Sequence, residues 1–119
     1  MEQFKIESTE VGPCGTRILR LAGPFTLKDV FEFQALVRSG DHPVTIIDLT
    51  AVPYMDSASL GSIMGVHASS QRQQRRYALV GVCDRIRTLF QVAGVDKMLT
   101  CYASVSDAQT ALARHAATQ

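Results

Sequence analysis

The chain has 119 residues, 46% of them apolar and 19% charged, with a formal net charge of +1. That length suits one domain with a real core, residues 1–119, and leaves no room for a second. The near-neutral balance excludes a nucleic-acid binder built on a strongly basic face. The longest uncharged stretch, Ser57 to Gln71, is too short and too broken by Ser, Gly and His to cross a bilayer.

Met1 to Lys5 lacks the basic-then-apolar layout of a signal peptide, so a cytoplasmic protein without direct membrane insertion is expected. Phe4-Lys5-Ile6-Glu7 alternates apolar and charged residues, as a half-buried edge strand does. Turn-forming residues over 11–15 lead into a second strand, Thr16 to Leu21, and Gly23-Pro24 ends this N-terminal hairpin. A helix is predicted from Thr26, with Val30, Phe33 and Val37 on one face, stopped by the residues 39–43. Val44-Thr45-Ile46-Ile47-Asp48-Leu49 is an almost unbroken β-branched run, the pattern of a strand covered on both faces in the middle of a sheet.

After a loop through Pro53, a long helix is predicted from Ser57 to about Arg76, with Leu60, Ile63, Met64 and His67 on one stripe. Gly61 and Gly65 read as points where this helix packs closely on the sheet. Tyr77 to Val80 is a further buried strand. Asp84 is the expected cap of a third helix carrying Ile86, Leu89, Phe90 and Ala93, ended by Gly94. Leu99 to Tyr102 forms a last strand, and Ser104 or Ser106 opens a final helix. Strands alternating with helices imply parallel pairs joined by right-handed crossovers. The fold class is α/β: a mostly parallel central sheet, an N-terminal antiparallel edge hairpin and about four helices.

Function in open α/β sheets collects beyond the carboxyl ends of the parallel strands. The segment Asp48 to Gly61 joins the central strand to a helix start, and it holds the cap-forming residues Asp56, Ser57 and Ser59. Helix N-termini favour negative charge. By residue type alone this cluster is first of all a good cap. Tyr54 and Met55, just ahead of it, are suited to contact a partner.

Ile46-Ile47-Asp48-Leu49 followed by Met55-Asp56-Ser57-Ala58-Ser59-Leu60-Gly61 resembles the STAS domain of bacterial anti-sigma factor antagonists. The order of strands and helices agrees, as do Leu79-Val80-Gly81-Val82, Phe90 to Val95 and the closing Ser106-Asp107-Ala108 helix. The resemblance implies a binding module for an anti-sigma factor that is also a serine kinase. Phosphorylation at the start of the second helix would break that complex. It implies a partner surface over Tyr54, Met55, Asp56, Ser57, Ala58, Ser59 and Leu60.

The family pattern is Asp-Ser-Ser-Gly-Leu-Gly, and its acceptor serine falls on Ala58, which has no hydroxyl. Three readings stay open. Ser57 or Ser59 takes over as acceptor, Ser57 being the first candidate because it directly follows Asp56. The chain is unphosphorylatable and always competent to bind. Or it is a soluble STAS subunit of a membrane transport or lipid-trafficking complex.

No cofactor or metal is expected. Cys14, Cys83 and Cys101 have no metal-ligand spacing and read as reduced thiols. Asp48 and Asp56 have no His or Lys in the same segment to complete a catalytic set, so a binding protein, not an enzyme, is expected. Arg72, Arg75 and Arg76 read as cations complementing the end of the long helix.

Overall fold

The computed structural model describes residues 3–11, 15–40 and 42–117, the side chains of 113–117 excepted. The turn expected over 11–15 therefore lies largely outside the described residues, and Cys14 with it. Five strands pair in their own sequence order. β1 (Lys5–Val11) runs antiparallel to β2 (Thr16–Ala22). β3 (Val44–Ala51), β4 (Arg76–Val80) and the short β5 (Cys101–Tyr102) follow in parallel. The β-branched run lies in the central strand, β3, as its pattern required.

Alternation along β3 divides the core. Ile47 and Leu49, with Leu19 and Leu21 of β2 and Leu79 of β4, face one side. There they meet Phe33 of α1 (Val30–Arg38), Leu60 and Ile63 of α2 (Ser57–Arg72), and Ile86 and Phe90 of α3 (Asp84–Ala93). Val44 and Ile46 face the other side with Ile18, Ala78 and Val80, under Ala108 and Leu112 of α4 (Val105–Ala117). Leu and Ile buried on both faces, with Phe33 and Phe90 on the first, supply the stability of the sheet.

Several boundaries differ from the sequence expectation. The first helix starts at Val30, after a 3-10 turn over Leu27–Asp29 in which Thr26 and Asp29 form a capping box. The long helix stops at Arg72 instead of Arg76: Gln74 turns left-handed at φ 55°, and the Arg75 amide closes back on the Ser70 carbonyl at 2.9 Å. Arg76 is thereby released to open β4, where it pairs with Val44. Cys83, not Asp84, is the cap of α3, and Asp84 is its first residue. Gly94 does end α3, at φ 75°. Ser104 caps the last helix by accepting from the Asp107 amide at 3.1 Å.

The C-terminus of α1 is held in an unusual way. Arg17 of β2 is 2% exposed. Its guanidinium donates to the carbonyls of Leu36 (2.7 Å), Val37 (2.8 Å) and Ser39 (2.9 Å). One side chain from the sheet thus reinforces Leu36 O, which also accepts from the Ser39 amide and hydroxyl, and supplies a donor to the Val37 and Ser39 carbonyls of the last turn.

Candidate functional site

Two loops meet beyond the carboxyl end of β3. Phe25 pairs with Met55 through an isolated parallel bridge, donating its amide to Tyr54 O (3.1 Å) and accepting from the Asp56 amide (3.3 Å). The Phe25 ring is fully buried, stacked on Phe4 and edge-on to Phe33. This anchor fixes where α2 begins.

Asp56 completes the clamp. One carboxylate oxygen accepts from the Ser59 amide at 2.9 Å, and the other accepts from the Leu27 amide at 3.0 Å. Partial burial alone would raise its pKa, but the amides of Ser59 and Leu27 outweigh that and hold it below the usual carboxylate value. Replacing Asp56 with alanine is expected to destabilise the fold by about 1–2 kcal/mol at neutral pH, the usual range for a lost N-cap. Because the folded pKa is depressed, the contribution is present above the unfolded value of about 4 and fades as pH falls through the folded one. Urea unfolding of the two proteins should therefore converge in acid; a gap that widened there would overturn this role.

The expectation of an exposed segment from Tyr54 to Leu60 needs correction. Met55 and Leu60 are buried in the core, and Ser59 is wholly buried. The Ser59 hydroxyl donates to Phe25 O at 2.6 Å and so ties the preceding loop to the helix start. Both Asp56 oxygens are engaged within the chain, and Ala58 packs partly against the core. Tyr54, 38% exposed with the Arg85 guanidinium 5.3 Å above its ring, and the exposed Ser57 remain at the surface.

The reading of Gly61 and Gly65 is also overturned. Both are exposed, and a Cβ built at either would meet nothing within 4 Å. Leu60, Ile63 and Val66, with Ser59, Ser62 and Ser70, form the inward side of α2. Ser57, Gly61, Gly65 and Ala68 therefore make a flat outward face free of bulky side chains. Beside it stand Leu27, 61% exposed, and Phe31, 78% exposed, which the helical spacing on its own did not single out as contacts. Leu27 is tied to the helix start through the hydrogen bond its backbone N–H donates to Asp56, and α1 packs along α2.

The carboxylates have structural work. Asp48 accepts from the Thr50 amide (3.0 Å) and hydroxyl (2.6 Å), bending the chain at the end of β3, and its second oxygen lies 3.9 Å from Arg20. His67 shares a 2.8 Å hydrogen bond with the Tyr77 hydroxyl, away from both. Among the described residues no three of His, Cys, Asp or Glu converge on a metal-sized space. Cys83 and Cys101 are free thiols, and burial pushes that of Cys101 up. Among those residues, no helix is long and apolar enough to cross a membrane.

The profile of the STAS domain matches residues 5–108. Over 75 residues the chain is 40% identical to the anti-sigma-B factor antagonist of Listeria monocytogenes, covering 63% of this chain and 66% of that protein. It is 27% identical over the same length to the namesake from Staphylococcus aureus, covering 69% of it. The alignment thus spans about two thirds of the curated relatives. Among solved structures, the anti-sigma factor antagonist SpoIIAA in its unphosphorylated form superposes with a TM-score of 0.74 at 20% identity, over 92% of this chain and 96% of that one. A sulfate transporter family protein from Wolinella succinogenes superposes with a TM-score of 0.71 at 20% identity, over 82% and 84% of the two chains. Likeness at that identity is likeness of fold.

Proposed function

We propose that this chain, which belongs to the STAS domain family, is an anti-sigma factor antagonist whose partner is an anti-sigma factor with serine kinase activity. The observation that carries the reading is the face around Ser57. An accessible hydroxyl sits in the first turn of a firmly capped helix, beside a bare helical surface and the uncovered Leu27, Phe31 and Tyr54. Large exposed apolar side chains grouped on one rigid surface mark a protein interface. The names of the relatives in Listeria and Staphylococcus support the same partner class.

Ser57 is the proposed acceptor, in place of the missing hydroxyl at Ala58. A phosphate there adds about 1.5–2 negative charges at the positive end of the α2 dipole, which the free protein tolerates. Inside an interface the same charges lack partners, so the complex opens. The chain acts in the cytoplasm in this reading, as a binding protein and not as an enzyme.

Affinity capture from the native lysate, with immobilised wild-type chain and with a Ser57→Asp bait, tests it. The wild-type bait is expected to retain a protein kinase that the Ser57→Asp bait loses. ATP is then expected to add one phosphate to the wild type and none to Ser57→Ala. A membrane transporter in place of the kinase would assign the chain to a transport complex instead, and identical captures on both baits would remove Ser57 from the interface.

A further inference from the structure

The surface around Ser57 is small for a partner-binding site. Ser57, Gly61, Gly65 and Ala68 of α2, with Leu27, Phe31 and Tyr54, fall well short of the about 20–30 residues that each side of a specific complex contributes. Gly61, Gly65 and Ala68 add little area, having at most a methyl group to offer. The footprint of a partner must therefore reach further, and Tyr54 leads to where it goes.

The loop that carries Tyr54 abuts the first turn of α3. The Cys83 thiol, at the cap of that helix, reaches the carbonyls of Val52 (3.8 Å) and Pro53 (3.6 Å). Two residues on, the Arg85 guanidinium lies 5.3 Å from the centre of the Tyr54 ring. A cation resting on a ring is restrained, which lowers the entropy lost when the side chain binds something else. Arg85 is exposed, and among the described residues it makes no hydrogen bond or ion pair, so its N–H donors are open. Asp84, the acid beside it in sequence, stands about 100° away round the helix. Val92 follows Arg85 by two helical turns, which places the pair on one line about 10 Å apart. Val92 is 83% exposed. The fold uses neither side chain, since Ile86 and Phe90 hold α3 to the core.

We infer that Arg85 receives a carboxylate of the protein partner and that Val92 meets an apolar side chain beside it. The interface then continues from Ser57 across Tyr54 onto α3. The inference rests on the reading of this chain as the antagonist of a kinase-type anti-sigma factor, and it adds the chemistry of the partner's surface. A guanidinium presents a fork that fits a carboxylate in pairs of hydrogen bonds. A neutral or basic partner surface would instead cover the charge without an answer to it, at a large desolvation cost.

The kinase isolated on the wild-type bait, titrated against immobilised variants by surface plasmon resonance, provides the test. Arg85→Ala is expected to bind about thirtyfold more weakly, and Arg85→Glu about a thousandfold. Arg85→Lys, which keeps the charge and loses the fork, is expected to fall between wild type and Arg85→Ala. Tyr54→Phe keeps the ring and should stay within about threefold of wild type, whereas Tyr54→Leu should lose about tenfold. Added salt should weaken the wild type more than Arg85→Ala, a difference that loss of shape alone would not produce. Should Arg85→Ala prove unstable in urea, Arg85→Lys and the salt series decide. Equal binding by wild type and Arg85→Glu, or an equal salt response in wild type and Arg85→Ala, would overturn the assignment and leave the proposed function standing. If the wild type retains no kinase, the proposed function fails and this assignment falls with it.

Discussion

A Ser57→Asp chain is expected to bind its protein partner at least about a hundredfold more weakly than the parent, a loss of about 2.7 kcal/mol. Its unfolding midpoint should not move. The two halves of this expectation come from the same position. Ser57 opens α2 and is exposed, so a carboxylate there meets water and the helix dipole, worth about 0.3–1 kcal/mol in its favour. Repulsion from Asp56 offsets part of that gain, because the Asp56 carboxylate stays ionised by its bonds to the Ser59 and Leu27 amides. In the complex the added charge is shut away from water without a partner, a penalty of several kcal/mol. Ser57→Ala should bind as the parent does, because only a methylene-sized polar group is lost. Surface plasmon resonance with the captured kinase measures the ratio, and a change below about threefold would sink the site.

The largest effect on stability is expected at Arg17. Arg17→Ala should lower the unfolding free energy by about 3–4 kcal/mol, read from urea midpoints at unchanged slope. The guanidinium serves three carbonyls at the end of α1; Leu36 O keeps the Ser39 amide and hydroxyl as donors, so the loss falls on the part-buried Val37 and Ser39 carbonyls, at about 1–3 kcal/mol for each acceptor left without a donor. Val37 is only partly buried and Ser39 is exposed, so their carbonyls can turn to water and the total is less than the simple sum. Burial lowers the Arg17 pKa, and Arg75 lowers it further while Glu10 opposes them, yet an arginine remains charged at any working pH. Arg17→Lys should lose about half as much, since an ammonium cannot fork between carbonyls. With total stabilities of about 5–15 kcal/mol for such domains, the alanine variant would be marginal at 37 °C. A loss under about 1 kcal/mol would mean that α1 does not need this cap.

What could be read from the sequence follows a physical division. The class, the antiparallel hairpin and the central place of β3 were legible because burial on two faces demands an unbroken apolar run, as Val44 to Leu49 supplies. The start of α2 was legible because Asp56 is a strong capping residue. Its end was not. Residues 71–76 are all Gln or Arg, good helix formers with no Gly or Pro among them, and termination depends on Gln74 adopting a left-handed conformation that glycine usually takes. The Ser59 hydroxyl could not be placed either, since its acceptor, the Phe25 carbonyl, lies 34 residues earlier. Gly61 and Gly65 show the limit of reading small residues by type. The spacing was right for close packing, but Leu60 and Ile63 turn inward and carry the glycines to the surface.

The five strands lie side by side in the order in which they occur along the chain. Each new strand therefore finds its neighbour already in place when it leaves the ribosome, and no strand must be inserted between two earlier ones. A sheet laid down in this way can grow during synthesis from its N-terminal hairpin, with at most one raw edge waiting at any moment for the next segment. Sheets that must admit a late central strand lack this advantage.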